Sequence, residues 1–153
     1  MAFVLAFLIG LLGGFRSMTA PAVTAWTAHV GRLRVARALA WMGTAPAVAI
    51  FTLLAIAELV VDKLPSTPSR TAPPGLITRI VLGALTGACV ATAGGAALGV
   101  GAALGMAGGI AGCYGGYQVR TRLVKALGTP DFVVALIEDV VAIGGSLLVV
   151  SRF

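Results

Sequence analysis

Charged side chains and histidine are scarce in this sequence. Only 10% of its 153 residues are charged, five residues are acidic, and there is a single histidine. A soluble domain carries about a quarter charged residues. The chain also lacks the spacings of common catalytic motifs, since it contains no HExxH, no GxSxG and no phosphate-binding loop. The composition therefore argues against a soluble enzyme, and we predict no catalytic residue, metal or cofactor.

Neither cysteine nor the basic residues indicate a specialised site. Cys89 and Cys113 lie in apolar, glycine-rich runs without metal-ligand spacing, so we interpret them as small buried hydrophobic residues. The net charge is +6, but the basic residues stand in small groups at the ends of apolar runs. That placement is typical of membrane anchoring. No basic stripe with interleaved aromatic residues occurs, so we expect no nucleic-acid partner.

Apolar surface is what the sequence has in abundance. Hydrophobic residues make up 59% of the chain, and the mean hydropathy is +1.04. A chain this short cannot bury so much apolar surface inside itself, so the lipid bilayer is the expected partner. A helix needs about 20 apolar residues to cross about 30 Å of hydrocarbon. We therefore predict an all-α integral membrane protein, one transmembrane domain over residues 1–153 with about five segments: Ala2–Gly14, Val35–Val61, Leu76–Ala93, Ala96–Val119 and Phe132–Val150.

The first segment is predicted to be broken. The stretch "GGFRSMTAPA" places two glycines, Arg16 and Pro21 directly after the first apolar run. Such a break at membrane depth is tolerated only where protein or a watery cavity satisfies the freed backbone groups. Ser17 and Thr19 are expected to do part of that locally. Because no basic n-region or A-x-A cleavage site is present, we interpret the segment as a retained helix rather than a signal peptide.

Glycines at four-residue spacing mark the third and fourth segments. Small residues at that spacing lie on one helix face and allow two backbones to approach closely. We therefore predict a central hairpin packed as a glycine zipper. The glycine faces serve the fold of one chain, a homo-oligomer interface or the lining of a pore, and the sequence leaves all three open. The predicted packing residues are Gly83, Gly87, Gly95, Gly99, Gly101, Gly105, Gly109, Gly112 and Gly116.

Two short pieces of sequence recur. "GGFRSMT" resembles "GGYQVRT", and "AIAELVV" resembles "ALIEDVV". The chain would then consist of halves 1–75 and 76–153. If each of the first three segments crosses the membrane once, the halves form an inverted repeat, an arrangement common among transporters. The unequal spacing of the pieces leaves coincidence as the alternative.

Acidic residues near the ends of two apolar runs form the core of the predicted site. Glu58 and Asp62 close the second segment, whereas Glu138 and Asp139 stand about two turns into the fifth. An acid in hydrocarbon costs roughly 2.5–3.5 kcal/mol on insertion scales, so each should have a partner or a role. Three interpretations follow: a structural ion-pair network, a polar cavity for an ion, proton or small solute, or simple exposure of the first pair at the membrane surface. The candidate partners are Arg16, Arg79 and Arg120.

A polar, proline-stiffened connection follows Asp62. Its hydroxyl and basic side chains could hold a phosphate or a lipid headgroup, and the prolines would hold them in place at little entropic cost. An ordered surface loop without a ligand is the alternative. The predicted ligand- or ion-binding residues are thus Arg16, Ser17, Thr19, Glu58, Asp62, Lys63, Ser66, Thr67, Ser69, Arg70, Glu138 and Asp139.

Four stretches together carry a family resemblance: "GGFRSMTAPA", "AELVVDKLPSTPSRTAPPG", "GGYQVR" and "PDFVVALIEDVVAIG". They resemble the bacterial membrane proteins grouped as domain of unknown function 4126, over nearly the whole chain. The resemblance implies a small multi-pass protein of the bacterial inner membrane. It implies no activity.

The leading hypothesis is therefore a small transporter or channel-like protein for an ion or small solute, with the intramembrane acids as its polar site. A membrane assembly or lipid-contacting protein that uses its glycine-rich helix faces is the alternative. An enzyme acting on lipid ranks third, because no catalytic motif supports it.

Overall fold

The computed structural model of the protein describes residues 1–62, 71–128 and 130–153. These residues form helices and connections, with no strand among them, which confirms the predicted all-helical class for the described part of the chain. The helices are α1 (Ala2–Phe15), α2 (Thr19–His29), α3 (Ala45–Val61), α4 (Pro73–Ala93), α5 (Leu98–Leu127) and α6 (Asp131–Val150), with a 3-10 helix at Arg37–Gly43 before α3.

Three of the helices, α4, α5 and α6, are long and apolar enough to cross a membrane. The 3-10 helix and α3 are bent by 61° relative to each other, and together they would make a fourth span. Helix α1 is apolar but has only 14 residues, which reach about 21 Å at the helical rise of 1.5 Å per residue. The described residues therefore contain three or four candidate spans by length and composition.

The predicted break in the first segment lies at Arg16–Met18, where the chain reverses direction. Gly94 lies against both Ala2 and Phe153, so the start of α1 lies beside the ends of α4 and α6. The far end of α2 lies at the same place, since Trp26 and Arg32 line a pocket with Ser151. We call this the basal end of the bundle. Helices α1 and α2 thus form a hairpin, whereas the sequence predicted one broken crossing.

The hairpin changes the relation between the two halves. Gly10 lies against Gly105 and Gly14 against Gly112, so α1 and α5 run in the same direction. The inverted repeat predicted from "GGFRSMT" and "GGYQVRT" requires opposite directions, because it assumed that the first segment crosses once. The other similar pieces, "AIAELVV" and "ALIEDVV", lie on α3 and α6. Helix α3 runs from the end of α2 toward the α1–α2 turn, whereas α6 ends beside the end of α2, so these two helices run in opposite directions. No single inversion therefore relates both pairs, and the helix directions do not support the inverted repeat.

Glycines bring α1, α4 and α5 into backbone contact. A Cβ atom added at Gly105 would overlap the backbone of Gly83, and one at Gly10 would overlap the backbone of Gly105. Backbones approach this closely only where side chains are absent. The predicted packing residues that make such contacts within the chain are Gly83, Gly87, Gly101, Gly105, Gly109 and Gly112.

The remaining predicted packing glycines behave differently. A Cβ at Gly95 or Gly99 would meet nothing within 4 Å, so neither glycine makes a close helix contact within the described chain. Gly95 instead has φ of +71° in the turn before α5, a conformation that favours glycine. Gly116 is buried and lines a cleft described below. The partner glycines on α1, Gly10 and Gly14, were not predicted.

Candidate functional site: a buried ionic centre

All five acidic residues of the chain converge with three arginines at one level of the bundle. The α1–α2 turn and the helices α3, α4, α5 and α6 each contribute at least one of them. We call this group the ionic centre: Arg16, Glu58, Asp62, Arg79, Arg120, Asp131, Glu138 and Asp139.

The ionic centre lies within the length of the candidate spans. Arg79 stands six residues after Pro73, the first residue of α4, and Asp139 eight residues after the start of α6. At 1.5 Å per residue these positions are about 9 and 12 Å inside their helices. Both side chains are buried. The centre therefore reaches into the bundle interior, and its outer edge is Asp131, whose side chain is 61% exposed.

Arg16 holds the middle of the ionic centre. It follows the last residue of α1 in an extended conformation, with φ −135° and ψ 109°, and its side chain is 1% exposed. One terminal nitrogen, Nη1, lies 2.7 Å from Oδ2 of Asp62, and Nη2 lies 2.5 Å from Oδ1 of Asp139. A guanidinium so deeply buried requires paired carboxylates, because desolvating an isolated ion costs several kcal/mol.

Glu58 caps the helix that begins after the break. Its Oε1 accepts hydrogen bonds from the backbone N–H of Ser17 at 2.8 Å and from the Ser17 hydroxyl at 2.6 Å, and its Oε2 accepts one from Met18 N–H at 2.9 Å. The first N–H groups of a helix lack intrahelical partners and attract negative charge. Arg79 lies 3.8 Å from Glu58 and donates from Nε to the Gly14 carbonyl at 3.0 Å. The break is thus closed from both sides by charged groups.

Arg120 connects three carboxylates on the other side of the centre. Its Nε and Nη2 donate to the two oxygens of Asp131, at 2.9 and 2.5 Å. Its Nη1 donates to Asp62 at 3.0 Å and to Glu138 at 3.4 Å. Since Asp62 also binds Arg16, it links the two guanidiniums. Carboxylates and guanidiniums are therefore shared rather than matched in isolated pairs.

An open cleft adjoins the ionic centre between α1, α5 and α6. It has a volume of about 290 Å³, and its only charged lining residues among those described are Arg120 and Glu138. The other walls are apolar or glycine: Leu11, Phe15, Ala111, Gly112, Gly115, Gly116, Val119, Leu123, Val134, Ile137 and Val141. The cleft thus gives one side of the ionic centre a route to the surroundings.

The structure brings together six of the side chains predicted for the site: Arg16, Ser17, Glu58, Asp62, Glu138 and Asp139. Thr19 is buried at the first position of α2. The residues predicted in the polar connection lie outside the described residues: Lys63, Ser66, Thr67, Ser69 and Arg70. Binding of a ligand or ion by the predicted site residues stays a prediction.

Three members of the ionic centre were not among the predicted site residues. Arg79 and Arg120 were predicted only as partners for the acids, and Asp131 was not assigned to the site. The positions of both arginines in the sequence indicate that they face the interior. Arg79 stands four residues before Gly83, and Arg120 stands four residues after Gly116, so each arginine lies on the glycine face of its helix. A charge that continues a close-packed glycine face points into the bundle.

Apolar helices of spanning length around a buried ionic centre are features of an α-helical membrane protein. The family model described as "Domain of unknown function (DUF4126)" matches residues 3–151, and the chain belongs to that family. No curated protein matches the chain, and neither does any solved structure. The family description assigns no activity, so a function must be argued from the site.

Proposed function

We propose that this protein is a multi-pass membrane protein that moves a small cation, in the simplest case a proton, through the ionic centre. The observation that supports this proposal best is the position of Glu138 and Arg120. Both belong to a network inside the bundle, and both line a cleft of about 290 Å³. A network that served only to hold the helices together would not need a cavity at its edge.

The energetic cost of the centre supports a role beyond packing. Charged side chains inside a membrane are expensive, face the protein interior and are found on ion or proton pathways. Here seven charged side chains are at least partly buried in the bundle, and the eighth, Asp131, lies at its exposed edge. Glycine contacts already hold α1, α4 and α5 together. The ionic centre is therefore a costly way to obtain cohesion that close backbone packing provides.

Sharing of the charges offers a mechanism for exchange. Guanidinium stays protonated in proteins, so the carboxylates are the groups that can gain a proton or bind a cation. If Glu138 takes up a proton, Arg120 keeps its contacts to Asp62 and Asp131. No guanidinium is left without a counter-ion during that step. A cation can thus enter from the cleft without an uncompensated buried charge.

A lipid-contacting role is the second candidate, and the same cleft favours it. Its walls are apolar apart from Arg120 and Glu138, which would suit an acyl chain with a polar head at the charged end. Assembly through the glycine faces has less support, because Gly105 and Gly109 already contact the backbones of other helices of the same chain.

Flux measurements in vesicles test the proposal. Purified protein would be reconstituted with a pH-sensitive dye inside, and valinomycin with potassium would remove the opposing voltage. We expect the wild type to dissipate a pH gradient faster than protein-free vesicles and Glu138→Gln to lose that activity. Glu138 suits the test because its 3.4 Å contact is the longest that Arg120 makes.

The matched control is Arg152→Gln, a charge removal at an exposed position of the basal end. It should leave the flux unchanged. Wild-type vesicles no faster than protein-free ones, for protons, sodium and potassium alike, would overturn the proposal. Lipid that stays bound through purification and is lost in Glu138→Gln would then favour the lipid-contacting role.

A further inference from the structure

Ser146 on α6 is a buried hydroxyl that the ionic centre does not use. The residue is 0% exposed, and its Oγ has no hydrogen-bond partner in the described part of the chain. Other buried hydroxyls in this bundle donate to the carbonyl one turn earlier, as Thr24 does to Ala20 at 2.8 Å and Thr86 to Leu82 at 2.9 Å. An unsatisfied buried hydroxyl costs about 1–3 kcal/mol and calls for an explanation.

Ser146 shares a helix face with a member of the ionic centre. Asp139, Ala142 and Ser146 are all buried, and spacings of three, four and seven residues place them on one side of α6. Seven residues correspond to about 10.5 Å along the helix. Ser146 therefore lies two turns from Asp139 in the direction of the basal end.

A second cavity begins beyond Ser146. It has a volume of about 460 Å³ at the basal end, where α2 and α6 end side by side. Its lining includes polar groups from both helices and the connection after α2: Thr27, Arg32 and Ser151. Leu147 and Val150 also line it, so along the axis of α6 the cavity starts within one turn of Ser146, which is not itself a lining residue. Ser146 thus lies between the ionic centre and an opening at the opposite end.

Helix α2 supplies a buried polar group along the same route. It starts at the ionic centre and runs to the basal cavity, in the same direction as α6. Thr24 is buried on it, one turn after Ala20, which packs with Val149 and Val150 of α6, and the Thr24 hydroxyl donates to the Ala20 carbonyl. A buried threonine on α2 thus lies on the side that faces α6, the helix that carries the buried Ser146.

We propose that the α2–α6 interface is the second half of the cation path, leading from Asp139 past Ser146 to the basal cavity. The inference rests on the proposed function and adds the side of exit. The path runs from the cleft at Glu138 through the ionic centre, then along Ser146 to the opening near Ser151. Water that enters from the basal cavity would supply the partner that the Ser146 hydroxyl lacks.

Cysteine accessibility tests the path independently of transport. Ser146→Cys is nearly isosteric, and the parent chain provides the background, since its two cysteines are buried. A small, positively charged, membrane-impermeant thiol reagent would be applied to reconstituted protein. Ser151→Cys, at the mouth of the basal cavity, is the reactive control. Leu148→Cys, on the outward face of α6 with 65% exposure, is the lipid-facing control.

We expect Ser146→Cys to react well above the parent chain and the Leu148→Cys variant, and only from the side on which Ser151→Cys reacts. A rate equal to that of Leu148→Cys would overturn the path. Failure of the proposed function would give a different result: Ser146→Cys would react with the reagent, but wild-type vesicles would show no cation flux. Cation flux with an unreactive Ser146→Cys would leave the function standing and refute the route.

Discussion

Replacing Arg16 by methionine should destabilise the protein more than the loss of any other single charge among its described residues. Arg16 is 1% exposed and binds Asp62 at 2.7 Å and Asp139 at 2.5 Å. Methionine approximately fills the space of the aliphatic stem but provides no counter-charge. The substitution therefore leaves two carboxylates in the bundle without the cation that lies between them.

The expected magnitude follows from the partners that remain. Removal of one partner from a buried ion pair costs about 3–5 kcal/mol. Asp62 retains Arg120 at 3.0 Å, so its share of the loss is reduced. We therefore expect a loss near the lower limit, about 3 kcal/mol, which is about a hundredfold in the ratio of folded to unfolded protein. The stability of Arg16→Lys should lie between those of the wild type and Arg16→Met, since lysine keeps a charge but lacks the planar guanidinium that reaches two carboxylates.

Unfolding in detergent micelles with rising dodecyl sulfate content, followed by far-ultraviolet circular dichroism, would measure the change. Arg34→Met is the matched control at an exposed position, and it should stay within about 0.5 kcal/mol of the wild type. Adding Asp139→Asn to Arg16→Met should cost less than Asp139→Asn alone, because the two side chains interact. Equal stability of Arg16→Met and Arg34→Met would refute the role assigned to Arg16.

Two further substitutions test the break and the glycine packing. Glu58→Gln should lower the free energy of unfolding by about 1.5–3 kcal/mol, because the N–H groups of Ser17 and Met18 lose charge-assisted acceptors. An unchanged unfolding midpoint in the same detergent titration would contradict the capping role. Gly105→Ala should prevent stable folding, since its Cβ would overlap the α4 backbone. Gly99→Ala should be tolerated, because nothing lies within 4 Å of its Cβ. Similar monomer peaks for both variants in size-exclusion chromatography would refute the role of Gly105 in helix packing.

The helices could be predicted from the sequence because lipid imposes a simple rule on composition. Apolar runs of sufficient length, such as Leu76–Ala93 and Phe132–Val150, correspond closely to α4 and α6. The reversal at Arg16 could not be predicted. Two glycines, a charge and a proline indicate a break, but the same residues fit a kinked span and a hairpin equally well. The direction of the chain after the break depends on tertiary contacts, here those of Glu58 with Ser17 and Met18.

The composition of the site was partly predictable for a related reason. Acids within apolar runs are conspicuous, so Glu58, Asp62 and Glu138 stood out. Arginines near helix ends resemble membrane anchors, and Arg120 is followed by two further basic residues that favour this interpretation. Arg120 differs from these two basic residues only in lying on the glycine face of α5. That face can be interpreted only when the helix packed against it is known. Sequence periodicity gives the side of a helix but not what lies against it.

The ionic centre divides into two parts with different physical tasks. Glu58 and Arg79 bind backbone groups exposed by the break, so their charges compensate for the hydrogen bonds that a continuous helix would have formed. Arg120 and Glu138 contact each other and line the cleft. Arg16 joins the parts through Asp62 and Asp139. Loss of Glu58 should therefore affect mainly stability, and loss of Glu138 mainly flux. Structural and transport roles of the acids are then compatible, because different members of one network perform them.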